Sequence, residues 1–476
     1  MMLQQKRNII IVVLLFTSLT CTEICAYSRT MFIPRLITTD AVFELGLTNY
    51  QFNHNKHEVA SVFTIKPFYQ SSHSANALAR FFLPNNKTCV TLREDGGGDI
   101  NPLWLNLISA PNTFYSSNIS LKPQRTSAGA VFTWYRELNS YVQSLWFGIN
   151  TALVHAQHNL NVRESNISTP GTLPGFKNTC DAFNNSAWPA GKLSCCSQSH
   201  TGLDDIQLKI GYDCVHCIDK HISPYIVGTI PTGTRPNARY VFEPLVGSKH
   251  GSLGLGLNTD FSLCNAVDFM FDAKYNYVFS SSERRSFDLH NGDWSRYLLV
   301  VTQAEPFNAF PGINSFTKQV RVTPGNTLQL WAALHCHHAA WQCEIGYNFW
   351  LRGKEKVAIQ SCSINQGCGS NTSIGIFDMQ VCNTPVTTAH SAKIYQSIVG
   401  SDSVVGDANF TPTTINDLNK RSAINPVACS NTIYGSCGYQ SPCAPVFLAL
   451  NVAYEFTGSC GAVRQYSIWG TFEIQF

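Results

Sequence analysis

Cysteine and histidine are the residues whose spacing first suggests chemistry in this chain. Cys214-Val215-His216-Cys217 sets two thiols and an imidazole within four positions, and His335-Cys336-His337-His338 with Cys343 gathers a second group. Zinc takes thiolate and imidazole ligands, and paired Cys-x-x-Cys motifs at suitable separation make a strong zinc signature. Here one such motif stands alone and the second group lacks that form, so the spacing favours disulfide chemistry. No metal and no cofactor is assigned.

Other apparent motifs are weaker. Gly251 to Gly256 looks like part of a glycine-rich nucleotide loop, but the alternating pattern runs through it and no helix follows. Its glycines are read instead as bends in a curved sheet. His155 and His158 could serve a hydrolase, yet no serine partner can be argued for them, and the chain is not read as an enzyme.

The start of the chain has the three parts of a secretory signal: Lys6 and Arg7, an apolar run from Ile9 to Phe16, and Cys25-Ala26 ending on a small residue. Residues 1–26 are therefore expected to be removed. Of the 18 cysteines, Cys21 and Cys25 would go with them, leaving an even, high number in an exported chain. That points to an oxidising compartment and disulfides. The formal net charge of +3 is too small to suggest nucleic acid as a partner. Charged residues make up 13% and aromatics 12%, a combination suited to a surface that faces lipid.

The positioning elements show as alternation. Tyr466, Ile468, Gly470, Phe472, Ile474 and Phe476 alternate with Gln465, Ser467, Trp469, Thr471, Glu473 and Gln475, giving one apolar and one mainly polar face. The same period recurs at 446–456, 341–352, 266–280 and 204–213. Strands of about ten residues with this dyad pattern are what a membrane barrel requires. Twelve are placed, at 58–70, 128–137, 143–160, 204–213, 220–231, 250–263, 266–280, 326–337, 341–352, 431–439, 446–456 and 463–476. Short and long connections alternate between them, matching tight periplasmic turns and long external loops. The expected fold is an all-β, transmembrane, antiparallel up-and-down barrel over 58–476, with 27–57 as a periplasmic or plug segment. Segments 285–289 and 297–302 could add a pair, so fourteen strands is the alternative.

Two stretches carry a resemblance. Gly470, Phe472, Ile474 and Phe476, ending the chain on an aromatic, look like the C-terminal signal of bacterial outer-membrane proteins, which implies the barrel-assembly machinery as a partner. Pro224 to Gly233, Phe242-Glu243-Pro244 and Gly251 to Leu257 are similar to the middle of FadL-like outer-membrane transport barrels. No ligand-binding residue of that group is carried over. The cysteine content resembles that of cysteine-rich major outer-membrane proteins, in composition only.

Strand parity then assigns candidate lumen-lining residues: Lys209, Asp268, Asp272, Lys274, Glu344, Arg352, Glu455 and Glu473. Both signs of charge occur, so strong ion selectivity is not implied. The candidate disulfide cysteines are Cys214, Cys217, Cys336, Cys343, Cys437 and Cys443 beside short turns, and Cys362 and Cys368 in a long loop. The external set, Cys89, Cys180, Cys195, Cys196, Cys362, Cys368, Cys382, Cys429 and Cys460, is expected to staple the loops and the turn set to bond at the rim or to an envelope partner. The resulting expectation is a porin or passive transporter of small or hydrophobic solutes in the bacterial outer membrane. The alternative is a structural or surface-interaction barrel with disulfide-linked loops.

Overall fold

A computed structural model describes residues 28–48, 61–109, 111, 113–168, 175–217, 219–305, 308–360, 373–377, 380–381, 384–385, 388–396, 411–457 and 461–476. The expected signal segment 1–26 lies outside the described residues.

Twelve strands close into one barrel: β1 (Ser61–Ser72), β2 (Gln124–Glu137), β3 (Leu145–Asn159), β4 (Ile206–Tyr212), β5 (Lys220–Ile230), β6 (Ser252–Cys264), β7 (Val267–Val278), β8 (Thr327–His338), β9 (Trp341–Arg352), β10 (Ala428–Gln440), β11 (Val446–Thr457) and β12 (Gln465–Gln475). Each pairs antiparallel with its sequence neighbours, and β12 closes on β1 through Val62 opposite Gln475 and Ser72 opposite Gln465. Closure pairs the backbone groups across every seam, a condition for a sheet in hydrocarbon. All strands but β4 are 11–15 residues long. At about 3.3 Å per residue and a tilt of roughly 40°, that length spans a hydrocarbon layer of about 30 Å. Among the described residues no helix is long and apolar enough to cross a membrane.

Alternation sets the two faces. Leu448, Leu450 and Val452 stand exposed on β11 while Phe447, Asn451 and Glu455 are buried, and Tyr466, Ile468 and Phe472 stand exposed on β12 while Trp469, Thr471 and Glu473 are buried. A continuous exposed belt of such residues around a closed wall is the lipid-facing surface of a transmembrane barrel.

The short turns 138–144, 213–219, 265–266, 339–340 and 441–445 all lie at one end, and the long loops at the other. The fourth strand differs from expectation. Asp204 and Asp205 interrupt it, and Gln198–Leu203 continues its pairing to β3 beyond them. Fourteen membrane strands are not formed. Ser281–Ser286 pairs with Thr317–Thr323, and Leu299–Thr302 with Phe310–Pro311 and Ile374–Ile376, in small sheets outside the barrel. Their alternation is real, but their partners are other loop segments.

The long loops form a folded cap with an aromatic core. Leu78, Phe81 and Phe82 of helix α2 (Ala75–Phe82) join Trp104, Phe183, Trp188, Phe242, Trp294, Tyr297, Phe316, Ile374 and Val463 in one buried cluster. Phe32, from the N-terminal segment, enters the same cluster.

Candidate functional site

Residues 29–32 bond and pack within the cap, and residues 33–48 lie among the lumen-facing side chains. Their one helix, α1 (Ala41–Leu45), is short enough that few of its backbone groups can bond within it. The wall supplies the missing partners. Asp40 caps the start by accepting from the Val42 N–H at 3.1 Å. At the other end Lys66 of β1 donates from Nζ to the carbonyls of Phe43 (2.7 Å), Glu44 (3.3 Å) and Gly46 (3.1 Å). A cation there also complements the negative end of the helix.

Glu44 is the electrostatic centre. Lys209 of β4 pairs with its Oε1, and Lys274 of β7 pairs with Oε2 at 3.1 Å. The Tyr135 hydroxyl donates to the same carboxylate at 3.1 Å. Burial alone would raise the Glu44 carboxyl, but Lys209 and Lys274 outweigh it and bring it down to about 2. Beside it Phe43 packs on Phe68 and Trp469, with ring centroids 5.3 and 4.9 Å apart.

Further contacts spread around the wall. Arg35 pairs with Asp40 at 3.1 Å, reaches Glu455 at 3.8 Å, and lies over the Trp350 ring at 5.3 Å. The Thr38 N–H donates to Asp204 at 2.9 Å, and Asn150 donates to the Thr38 carbonyl at 2.7 Å. Glu344 accepts from the Leu47 N–H at 3.2 Å, and Arg352 donates to the Ile33 carbonyl at 3.3 Å.

All eight parity-assigned residues are buried in the interior. Lys209, Lys274, Glu344, Arg352 and Glu455 touch the N-terminal segment directly. The other three bond to the wall: Asp268 accepts from Ser262 at 2.6 Å, Asp272 from Tyr225 at 2.9 Å, and Glu473 from Thr64 at 3.3 Å. Sequence reasoning missed Lys66, Arg35, Asp40, Glu44 and Asp204. Lys66 had a usable signal, since Thr64, Lys66, Phe68 and Gln70 alternate with Ile65, Pro67 and Tyr69 in β1.

Two glycines explain how the interior tyrosines reach their carboxylates. A Cβ on Gly256 would come within 2.1 Å of the Tyr225 ring, and one on Gly346 within 2.2 Å of the Tyr434 ring. Each ring therefore lies flat across the neighbouring strand, with Tyr225 reaching Asp272 and Tyr434 reaching Glu344. Gly256, read from sequence as a bend, makes room for a side chain.

Between the N-terminal segment, the wall and the cap lies a cavity of about 90 Å³. Ile33, Leu36, Leu245, Val278 and Trp350 give it apolar sides, and Arg35, Arg352 and Glu355 add charged groups.

The cysteines fall in the loops and at the turn end. The disulfide among the described residues joins Cys180 to Cys195, both of the external set and both within one loop. Cys214, Cys217, Cys336, Cys343, Cys437 and Cys443 are exposed free thiols, while Cys362 and Cys368 lie outside the described residues. Cys336 stands opposite Cys343, and Cys343 opposite Cys437, so the central sulfur faces two neighbours. The Cys343 and Cys437 sulfurs are 2.8 Å apart. Among the described residues, the buried aromatics of the cap core join six separate loops, and the disulfide lies within one.

His155 and His158 sit on opposite faces of β3 and cannot act together. His155 is exposed and bonds Thr201 at 2.7 Å, whereas His158 is buried and stacks on Phe242 at 4.2 Å.

No known protein family and no curated protein matches the chain. Among solved structures it is similar to an outer-membrane channel from Pseudomonas putida F1, with TM-score 0.40 and 8% identity over 88% of this chain and 96% of that one. It is also similar to the Pseudomonas putida toluene transporter TodX, with TM-score 0.34 and 8% identity over 96% and 99% of the two chains. The Ralstonia pickettii toluene transporter TbuX gives TM-score 0.28 and 7% identity over 88% and 90%. At such values these neighbours lend no weight to a substrate, and the functional reading rests on the chain's own geometry.

Proposed function

We propose that this chain is a bacterial outer-membrane barrel, exported by a signal segment ending at Ala26, that passes small, largely apolar solutes passively. Residues 33–48 act as a plug that shifts to open the path. The carrying observation is the cavity of about 90 Å³ bounded by plug, wall and cap, whose apolar sides offer a small solute a place beside the plug. The plug's described contacts with the wall are hydrogen bonds, ion pairs and packing, so it can move without breaking a covalent bond. Gly470, Phe472, Ile474 and Phe476 serve as the assembly signal, and the thiols at the turn end offer points of attachment for an envelope partner. No enzymatic step is proposed.

The test is uptake of a small apolar probe by liposomes holding the folded barrel, compared with Leu245→Trp, which fills the cavity. Uptake by the native barrel, reduced several-fold in the variant, is expected. A folded native barrel that takes up no more than empty liposomes would sink the reading and leave the structural barrel in its place.

A further inference from the structure

We propose a binding site for a divalent transition-metal ion just inside the turn end of the barrel, formed by Asp213, His216 and His221. One ligand atom from each of the three lies within 4.8 Å of the other two. The strand register makes this arrangement. His216, on the short segment Val215–Cys217, pairs directly with His221 of β5, and His221 pairs with Asp260 of β6. Asp213 precedes the segment, and its Oδ1 lies 2.8 Å from His221 Nε2. The two imidazole rings are 5.8 Å apart.

The chemistry selects the ion. Two imidazoles and one carboxylate suit zinc, copper or nickel, whereas magnesium and calcium prefer an all-oxygen set. Three protein ligands with water in the fourth position is a common zinc arrangement. Zinc holds its ligand atoms at about 2.0–2.1 Å, so tetrahedral neighbours stand roughly 3.3 Å apart. Asp260 supplies the support such a site needs, its Oδ2 lying 3.5 Å from His221 Nδ1. A carboxylate accepting the Nδ1 proton fixes the tautomer that offers Nε2 to the ion. His221, Asp213 and Asp260 are buried, while His216 is half-buried and leaves a way in from the mouth.

Cys214 and Cys217, which made this stretch look like a thiolate motif, take no part. Both are exposed, and Cys217 neighbours His216 on a strand, so the two side chains leave on opposite faces. A bound ion would tie the 213–219 turn to the inner wall across β4, β5 and β6.

The test uses the full chain folded in detergent micelles, with Zn²⁺ alone as the probe, titrated against a chromophoric chelator. One ion per barrel is expected. His216→Gln and His221→Gln should each weaken binding by at least ten-fold, and Asp260→Asn by about 10–100-fold. The Cys214→Ser/Cys217→Ser double variant should bind as the native chain does. Heat-modifiable gel mobility shows that each variant is folded. Cobalt in place of zinc should give visible bands without a thiolate charge-transfer band. Absence of stoichiometric binding by the folded native barrel overturns the proposal. So does binding that survives both histidine variants but is lost with the cysteines.

Discussion

Glu44 holds its seat through Lys209 of β4 and Lys274 of β7, and this makes the proposed plug sensitive to acid. Its folded value, about 2, lies below the ordinary 4.5, so the folded state favours the ionised carboxylate. The stabilisation it brings is complete above about pH 4.5 and is lost as pH falls from there toward 2. Conductance of single barrels in a planar bilayer should therefore rise on acidification through that window. Glu44→Gln should be conductive already at neutral pH and show no further step, since it leaves two buried ammonium groups facing a neutral amide. Loss of one partner from a buried ion pair costs about 3–5 kcal/mol. A wild-type barrel that stays folded and silent through the window would refute this role. At this scale the sequence was half legible. Parity located Lys209, Lys274 and Glu344, because they lie on strands that alternate. Glu44 sits on a five-residue helix in a segment without periodicity, so nothing marked it as their partner.

Strands were the most readable elements. Alternation located all twelve, because one face meets lipid and the other a polar interior, and a slip of one residue would exchange the faces. What alternation does not encode is the partner, which is why 285–289 and 297–302 could be taken for membrane strands. The same face rule predicts the effect of a misplaced charge. Leu450, near the middle of β11, is 61% exposed to the lipid side, while Asn451 beside it is 1% exposed. Leu450→Arg should cost about 2–4 kcal/mol, and the same change at Phe456, on the same face near the external end of that strand, about 0–1 kcal/mol. Urea titration of refolding in lipid vesicles measures both. Equal costs at the two positions would contradict a lipid-facing β11.

The cap was the least legible part of the molecule. Cysteines in its loops suggest staples, of which Cys180–Cys195 is one, while its buried core is built of aromatics with no regular spacing, such as Trp104, Trp188 and Trp294. Trp294 is fully buried and donates its indole N–H to the Phe82 carbonyl at 2.8 Å, joining two loops. Trp294→Ala should cost the cap about 3–5 kcal/mol. Limited proteolysis should then cut the loops while the barrel keeps its heat-modifiable mobility. If the barrel is lost with the cap, the two unfold as one unit and this account is wrong. The seat of α1 also carries a consequence for the order of assembly. Phe43 rests on Phe68 of the first strand and on Trp469 of the last, while Glu44 is met by β4 and β7. The segment that leaves the ribosome early thus has no complete seat until the final strand has been made and joined. Its docking is a late event that depends on ring closure, and a barrel that stalls one strand short leaves its own plug unseated.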